Sequence, residues 1–310
     1  FESRRSPHFF FLFGSLSQVP DSIVMSVPFP IASLNAQLLP VEEVRITGND
    51  RGFLYGDGLF ETIRVHLGQP FLWKWHMTRF MDSAATLGIP LVQTADSLLG
   101  IARELIHRNN VTESVMRITL SRGVGQRGYG VTGEEQPTLL ITQHPLPASP
   151  IQPLSLVVTS VRVAVGNPLA KVKSVNKLDS ILAKRDATSQ GVDDGLIVNS
   201  EGNLTETSSA NLFWMEDRTL RTPPVSDGVL PGVTRRLVIS LASVLGQAVR
   251  EESVDLDRLQ QAEAAFVTSA ATGIIAVGQV NGTELGTHPL LGQLQDAYEA
   301  ELAGNTAVGE

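Results

Sequence analysis

Three lysines near the middle of the chain, Lys171, Lys173 and Lys177, are candidates for covalent chemistry. Lys171 and Lys173 are two residues apart, so in a strand both side chains would lie on one face. A lysine amine attacks a carbonyl carbon efficiently only when burial or a neighbouring cation lowers its pKa. The lysines alone therefore leave two interpretations open, a solvent-exposed sheet edge and an amine that forms a Schiff base.

A glycine-rich stretch with arginines, Arg117 to Gly130 with the sequence RITLSRGVGQRGYG, could bind a carboxylate. Glycine lets the backbone approach a ligand closely, and the guanidinium fork matches a carboxylate. Arg127 is the first candidate for that contact, and a plain surface hairpin is the alternative. The glycines do not form a dinucleotide-binding fingerprint, because the required order of strand, G-x-G-x-x-G and helix is missing.

The composition argues against several other classes of function. The 310 residues include 24 basic and 32 acidic side chains, a formal net charge of -8, without a basic stripe for nucleic acid. There is no cysteine, so thiolate catalysis, thiolate metal sites and disulfides are excluded, which fits a cytoplasmic protein. No apolar run approaches the roughly 20 residues of a membrane-spanning helix, and we expect no membrane partner. The histidines lack the spacing of metal ligands, and we predict no metal site.

Four groups of residues resemble, in the same order, the class IV aminotransferases. This family of fold-type IV pyridoxal-phosphate enzymes includes branched-chain and D-amino acid aminotransferases and aminodeoxychorismate lyase. The matching segments are Asn49 to Arg64 (NDRGFLYGDGLFETIR), His76 to Phe80 (HMTRF), Lys173 to Ala187 (KSVNKLDSILAKRDA), and Glu201 to Phe213 (EGNLTETSSANLF) with Leu230 to Arg235 (LPGVTR). The resemblance spans about residues 30 to 285. It implies two α/β domains with pyridoxal 5'-phosphate at their interface, and a homodimer whose active sites take residues from both chains.

The resemblance also implies which residues hold the cofactor. Lys173 is expected to bind it covalently and to move the substrate proton, and Glu206 is expected to face the pyridine nitrogen. The remaining cofactor contacts are expected from the phosphate-binding residues Arg79, Val233, Thr234, Ser269 and Ala270. In many relatives a hydroxyl residue lies where this chain has Ser269, Ala270 and Ala271, so Ala270 could offer only its backbone amide. Lys177 and Lys184 are interpreted as structural.

Substrate contacts follow from the same resemblance. They are expected from Tyr55, Phe60, Arg64, Arg127 and Ala271. Glu61 is left out of the catalytic assignments, because strand alternation makes Phe60 and Glu61 point to opposite faces.

The predicted activity is a pyridoxal-phosphate-dependent transfer of an amino group from an amino acid or amine to a 2-oxo acid or ketone. The RGxGxRGY form of the glycine-rich loop favours an alternative, aminodeoxychorismate lyase, which releases pyruvate and 4-aminobenzoate. A third possibility is a protein that binds vitamin B6 without turnover. Donor preference depends on the shape of the pocket, which the sequence does not reveal.

The elements that must position these residues follow from hydrophobic periodicity. The predicted helices are His76–Leu87, Ala95–Asn110 with Thr94 or Asp96 as its cap, Asn176–Ser189 and Val233–Leu245. The predicted strands are Phe60–Val65, Val115–Ser121, Pro137–His144, Leu154–Ala164, a hairpin over Asp194–Leu204, and Ala264–Thr268, followed by an edge of short segments.

Domain boundaries follow from the proline-rich stretch Pro145 to Pro153 (PLPASPIQP), which is interpreted as a linker between residues 25–144 and 154–310. Residues 1–24 have arginines before a short apolar run, as in a signal peptide, but the run is too short to convince. We interpret them as a non-native or disordered extension, with Met25 as the natural start.

Overall fold

A computed structural model describes residues 28–148, 150 and 152–304. Its first sheet has six strands: β1 (Ile31–Leu34), β2 (Gln37–Pro40), β3 (Gly58–His66), β4 (Gln69–Pro70), β5 (Ser114–Val124) and β6 (Gln136–His144). They are ordered β2-β1-β6-β5-β3-β4, and every neighbouring pair is antiparallel. The predicted extension at residues 1–24 lies outside the described residues.

Three helices accompany this sheet: α1 (Arg51–Tyr55), α2 (Trp73–Leu87) and α3 (Ala95–Asn109). The predicted cap of α3 is confirmed, because the Thr94 side chain accepts a hydrogen bond from the Ser97 amide at 3.2 Å. Helix α2 begins three residues before its predicted start, since buried Trp73 donates to Ala95 O and fixes the first turn against α3. The apolar faces of α2 and α3 cover the sheet face that carries Leu59, Ile63 and Ile118.

The second sheet contains nine strands: β7 (Leu154–Val163), β8 (Asp194–Asn199), β9 (Leu204–Thr207), β10 (Asn211–Glu216), β11 (Thr219–Thr222), β12 (Val249–Glu251), β13 (Ala264–Ser269), β14 (Gly273–Val280) and β15 (Thr283–Glu284). Their order is β12-β11-β10-β13-β14-β7-β8-β9, with β15 on β14. Strand β9 also pairs with β10, so the strands from β10 round to β9 close into a barrel-like sheet. The predicted hairpin is confirmed, because β8 and β9 pair antiparallel across Glu201 and Gly202.

Four helices surround the second sheet: α4 (Leu178–Ser189), α5 (Val233–Val244), α6 (Leu256–Gln260) and α7 (Pro289–Gly304). The expectation of short edge segments after Thr268 is wrong. Strand β14 lies inside the sheet between β13 and β7, and α7 buries Leu290, Leu294 and Tyr298 against it. The small residues of β14 hide its strand pattern, because Gly273, Ala276 and Gly278 interrupt the apolar alternation.

The two sheets meet where the start of β3 contacts the segment after a 3-10 helix at Pro168–Lys171. Phe60 N donates to Lys173 O at 2.9 Å, and Val175 N donates to Gly58 O at 3.1 Å. On the other side of this junction, the Arg236 guanidinium of α5 lies 4.2 Å from the ring centroid of Trp75 in α2. None of the helices in the described part of the chain combines the length and apolar character that crossing a bilayer requires.

Candidate active site

A cleft of about 670 Å³ lies between the two sheets. Phe60, Thr62 and Arg79 line it from the first sheet and its helices. The second sheet and its connections contribute Lys173, Lys177, Glu206, Val233, Thr234, Ser269, Ala270 and Ala271. The structure thus brings together all of the predicted cofactor residues and two of the predicted substrate residues, Phe60 and Ala271.

Lys173 lies in an extended segment rather than in a strand shared with Lys171. The expectation that the two lysines share a strand face is wrong, because Lys171 ends the 3-10 helix and lines a different groove. Backbone pairing with β3 holds the Lys173 segment at the cleft, and Lys173 Nζ lies 4.7 Å from the centroid of the Phe60 ring. Burial, with the nearby charge of Arg79, lowers the pKa of Lys173 to about 8. A substantial fraction of this amine is therefore neutral and nucleophilic near pH 8.

Glu206 projects from β9 into the same cleft. Its Oε2 accepts from Asn211 Nδ2 at 2.9 Å and from the Leu230 amide at 3.3 Å, while Oε1 has no donor among the described residues. Burial raises the pKa of this carboxyl to about 7, although the nearby Lys177 charge and the Leu230 N–H favour the ionised form. A cationic N–H placed at Oε1 would shift the carboxyl further toward its ionised form.

The N-terminus of α5 forms an anion-binding corner of the cleft. Gly232 is its N-cap, no side chain caps it, and its first turn carries no acidic residue, so the amides of its first turn remain available. A Cβ at Gly232 would lie 1.9 Å from Asn211 Oδ1, so only glycine fits between the helix start and the residue that holds Glu206. Arg79 Nη1 donates to Pro231 O at 2.9 Å, which brings the guanidinium to the same corner.

Ser269 and Thr272 also line the cleft. Their hydroxyl oxygens are 2.7 Å apart, and the Thr272 amide donates to Ser269 Oγ at 3.2 Å. The neighbouring Thr268 hydroxyl is buried and has no partner among the described residues, although Thr268 lines the cleft. This part of the cleft therefore carries hydroxyl groups beside the backbone of Ala270, and such groups can donate hydrogen bonds to an anion.

Sequence reasoning missed the buried group that supports Arg79. Glu61 is completely buried, its two oxygens lie 2.7 and 2.8 Å from Arg79 Nε and Nη2, and His76 Nδ1 lies 2.8 Å from Oε2. Burial lowers the pKa of His76, although the charge of the Glu61 carboxylate and its hydrogen bond to the ring oppose the shift. Burial alone would raise the pKa of Glu61, but its bonds and charge contacts with His76 and Arg79 bring it down to about 2. The three-residue spacing of His76 and Arg79 on one helix face was the available signal.

Residues 58–280 of the sequence match the family described as amino-transferase class IV. This chain belongs to the class IV aminotransferase family. A candidate branched-chain-amino-acid aminotransferase of Methanocaldococcus jannaschii is 34% identical over 253 residues, which are 80% of this chain and 87% of that protein. The D-alanine aminotransferase of Staphylococcus aureus is 28% identical over 270 residues, 86% of this chain and 95% of that protein.

Structural comparison agrees with this assignment. The crystal structure of a candidate 4-amino-4-deoxychorismate lyase from Legionella pneumophila is 34% identical, with a TM-score of 0.79 over 83% of this chain and 96% of that one. The fold is that of the two-domain, fold-type IV pyridoxal-phosphate enzymes. The similar proteins are thus named for three different reactions, so membership of the class IV aminotransferase family leaves the substrate open.

Three predicted substrate residues of this class IV aminotransferase do not line the cleft beside Lys173. Arg64 follows Phe60 and Thr62 on one face of β3, but it lies beyond the cleft, where Nη2 pairs with Glu113 at 3.1 Å. Tyr55 and Arg127 are also absent from the lining of this cleft. The Tyr55 hydroxyl accepts from the Gly128 amide at 2.9 Å, and Arg127 is exposed at the tip of the glycine-rich loop.

The structure also places cations in or beside the cleft that were not assigned to it. Lys177 and Lys184, interpreted as structural, both line the cleft, and Lys184 Nζ donates to Asp193 O. Burial lowers the pKa of Lys177, although the Glu206 carboxylate opposes the shift. The Arg117 guanidinium lies 3.7 Å from the centroid of the Phe60 ring. The class IV aminotransferase cleft therefore contains several basic side chains besides Lys173.

Proposed function

We propose that this chain is a pyridoxal 5'-phosphate-dependent aminotransferase, which moves an amino group from an amino acid to a 2-oxo acid. The observation that carries the proposal is the convergence of Lys173, Glu206 and the Arg79 and α5 anion corner on one cleft. An amine, a carboxylate and an anion site at the same cavity match the aldehyde, pyridine nitrogen and phosphate of the cofactor.

The residues present fit this cofactor. Glu206 Oε1 is accessible and lacks a donor among the described residues, so it is free to accept a pyridine N–H. The amides at the start of α5, with Arg79 and Ser269 nearby, supply several donors for a dianion. The space next to Asn211 that a Cβ at Gly232 would fill stays open because that position is glycine.

Each of these residues has a distinct task. Pyridoxal phosphate supplies an aldehyde carbon and an electron-withdrawing ring when it is bound. Glu206 keeps the ring nitrogen protonated, and Arg79 with the α5 amides fixes the phosphate. With the cofactor bound, the Lys173 amine would serve as the general base that removes the proton from the substrate Cα. Its pKa of about 8 suits this task, because the amine loses and regains a proton near neutral pH.

Aminodeoxychorismate lyase is the second candidate function. The sequence RGVGQRGYG at Arg122–Gly130 favours it, since the resemblance of this loop leans toward the lyases, and the 34% identity to a candidate lyase supports it. Both reactions require the same lysine and the same removal of a substrate proton. They differ in whether pyruvate leaves or an amino group remains on the cofactor.

Absorbance spectra of the purified protein with pyridoxal phosphate test the proposal. Wild type and Lys171→Ala should shift the cofactor band, whereas Lys173→Ala should not, because Lys171 faces another groove. D-alanine and L-leucine are then added singly without an acceptor. Conversion of the band to that of pyridoxamine phosphate establishes the aminotransferase. Pyruvate release from aminodeoxychorismate, without such conversion, establishes the lyase, and a band that no compound changes indicates a vitamin B6-binding protein.

We also propose that two copies of the chain form a dimer through a surface that joins α1, the glycine-rich loop and the start of α4. Phe53, Tyr129 and Leu178 on this surface are 78, 88 and 71% exposed. Asn176 Nδ2 donates to Gly56 O at 2.8 Å, so α1 and α4 are continuous in this surface. An apolar patch of this kind is typical of a contact between subunits.

Light scattering after size exclusion tests the dimer. Wild type should have twice the mass of the chain, and Phe53→Ser with Leu178→Ser should shift it toward the monomer. Val244→Ser, at the exposed end of α5, is the control and should leave the mass unchanged. A monomeric wild type, or a double variant with unchanged mass, would contradict the proposed surface.

A further inference from the structure

A buried arginine, Arg51, binds the backbone of the glycine-rich loop that carries Arg127. Arg51 is 3% exposed, and its Nη1 donates to Gln126 O at 3.2 Å and to Gly128 O at 2.8 Å. These carbonyls belong to the residues immediately before and after Arg127. One guanidinium therefore fixes the backbone on both sides of the predicted substrate residue.

Tyr55 adds a second anchor to the same loop. Its hydroxyl accepts from the Gly128 amide at 2.9 Å, and its ring packs edge-on against Tyr129 with centroids 5.6 Å apart. The Arg51 guanidinium lies 5.1 Å from the centroid of the Tyr55 ring. Both polar backbone groups of Gly128, which has a φ of +103°, are thus bound by side chains from α1.

Asp57 connects this anchor to the body of the first sheet. Its Oδ2 accepts from Arg51 Nε at 2.9 Å and from Arg122 Nε at 2.7 Å. Buried Arg122 also donates to Leu87 O at 2.7 Å and Gly88 O at 2.8 Å, at the end of α2. Burial would raise the pKa of Asp57, but the two arginines outweigh it and lower the pKa. The loop is therefore connected, through Arg51, Asp57 and Arg122, to the C-terminal end of α2.

We infer that Arg51, Tyr55 and Asp57 are positioning residues that hold Arg127 in place for a substrate carboxylate. This inference rests on the proposed aminotransferase function and dimer, and on the expectation from the family resemblance that each active site takes residues from both copies, with the loop of one copy at the cleft of the other. A loop with glycine at 123, 125, 128 and 130 would otherwise lose much conformational entropy when the substrate binds. Anchoring the loop in advance removes that loss from the binding step. This positioning role would explain the NDRG and GDG parts of the first sequence motif, since they contain Arg51 and Asp57.

The geometry requires arginine rather than any cation at position 51. Its Nη1 reaches two carbonyls while Nε reaches Asp57, an arrangement that suits a planar fork and not a single ammonium group. Arg51→Lys keeps the charge and removes the double bridge. Arg221→Lys is a matched control, because Arg221 is 7% exposed and pairs with Glu216 and Glu252 at 3.0 Å, with no contact to the loop.

Hydrogen–deuterium exchange of the wild type and variant proteins tests the anchoring without reference to activity. Amides of Gln126–Gly130 should exchange faster in Arg51→Lys and in Tyr55→Phe than in the wild type and Arg221→Lys. Unchanged exchange in both loop variants would overturn the inference. A wild type that fails to bind pyridoxal phosphate would refute the proposed function, and the exchange data would still decide the anchoring.

Kinetics of the half-reaction with D-alanine test whether the anchor acts through Arg127. Arg51→Lys should raise the half-saturating D-alanine concentration about tenfold, the effect of one weakened charged hydrogen bond, with little change in the rate at saturation. Arg127→Ala should raise it further, and adding Arg51→Lys to Arg127→Ala should have no additional effect. Equal effects of Arg51→Lys in both backgrounds would overturn the positioning role, because they would show that Arg51 acts independently of Arg127.

Discussion

The carboxylate of Glu61 and the guanidinium of Arg79 form a two-point ion pair, with Nε to Oε1 at 2.7 Å and Nη2 to Oε2 at 2.8 Å. A third Arg79 group, Nη1, donates to Pro231 O at 2.9 Å. A guanidinium has five N–H donors. Two N–H donors of Arg79 therefore remain available for an anion in the cleft, while the other three fix the orientation of the arginine between the domains.

Glu61→Gln should destabilise the protein, since it leaves the Arg79 charge without its carboxylate in a largely buried position. Loss of one partner of a buried ion pair costs about 3 kcal/mol of unfolding free energy. Urea denaturation without cofactor measures this cost. Glu113→Gln is the control, because Glu113 pairs with Arg64 at a more exposed site and should lose less than about 1 kcal/mol. Equal losses of unfolding free energy in the two variants would show that the buried Glu61–Arg79 pair stabilises the protein no more than the more exposed Glu113–Arg64 pair does.

Acid should remove the contribution of Glu61. Its pKa in the folded protein is about 2, below the ordinary value of 4.5, so its stabilisation is complete above pH 4.5 and disappears as the pH falls toward 2. The difference in unfolding free energy between wild type and Glu61→Gln should therefore shrink as the pH decreases from 5 to 3. Denaturant titrations at each pH measure this difference. The contributions of the other carboxyl groups cancel in it, because both proteins contain those groups. A difference that stays constant over this range would contradict the low pKa.

The parts of the site that depend on local pattern were predictable from sequence. The alternation of β3 correctly separated Phe60, which lines the cleft, from Glu61, which faces α2. The roles expected for the first turn of α5 and for Lys173 came from the resemblance of short motifs to the class IV aminotransferases, since the spacing of the lysines alone left two interpretations open. The alternation could not show that the buried Glu61 carboxylate contacts His76 and Arg79. Both residues belong to α2, and the contact depends on how that helix packs on the sheet.

Other differences between the sequence-based expectations and the structure have equally physical causes. Arg64 shares a strand face with Phe60, but β3 leaves the cleft before Arg64, and the Arg64 guanidinium pairs with Glu113, just before β5. Lys171 and Lys173 were assigned to a strand because spacing alone cannot distinguish a strand from an extended segment after a 3-10 helix. Strand β14 was hidden by its small residues, whose burial depends on α7.

The pKa of Lys173 predicts the pH dependence of cofactor uptake. The neutral amine is the nucleophile, and a pKa of about 8 means that its fraction rises as the pH increases from 7 to 9. The initial rate of the absorbance change on adding pyridoxal phosphate should increase over this range and then level off. Lys171→Ala should show the same profile. A rate that continues to rise to pH 10.5 would indicate an ordinary lysine.

Glu206→Gln should separate cofactor binding from turnover. Glutamine keeps an acceptor for Asn211 and Leu230 but cannot hold a proton on the pyridine nitrogen as a carboxylate does. The absorbance shift with pyridoxal phosphate should persist, and conversion by D-alanine should slow about a hundredfold, as on loss of one well-placed electrostatic group. Stopped-flow absorbance measures the conversion. An unchanged rate would show that Glu206 does not act on the ring.

Gly232→Ala should weaken binding of the cofactor through Asn211. The new Cβ would lie 1.9 Å from Asn211 Oδ1, so Asn211 must move and release either Glu206 or the Leu230 carbonyl, both of which its Nδ2 now binds. The start of α5 must shift as well, which displaces the amides of the anion corner. We expect the dissociation constant of pyridoxal phosphate to rise at least about tenfold, the cost of one charged hydrogen bond. Gly100→Ala is the control, since a Cβ there meets no atom within 4 Å. Equal affinities in the two variants would show that the close approach at Gly232 does not shape the phosphate site.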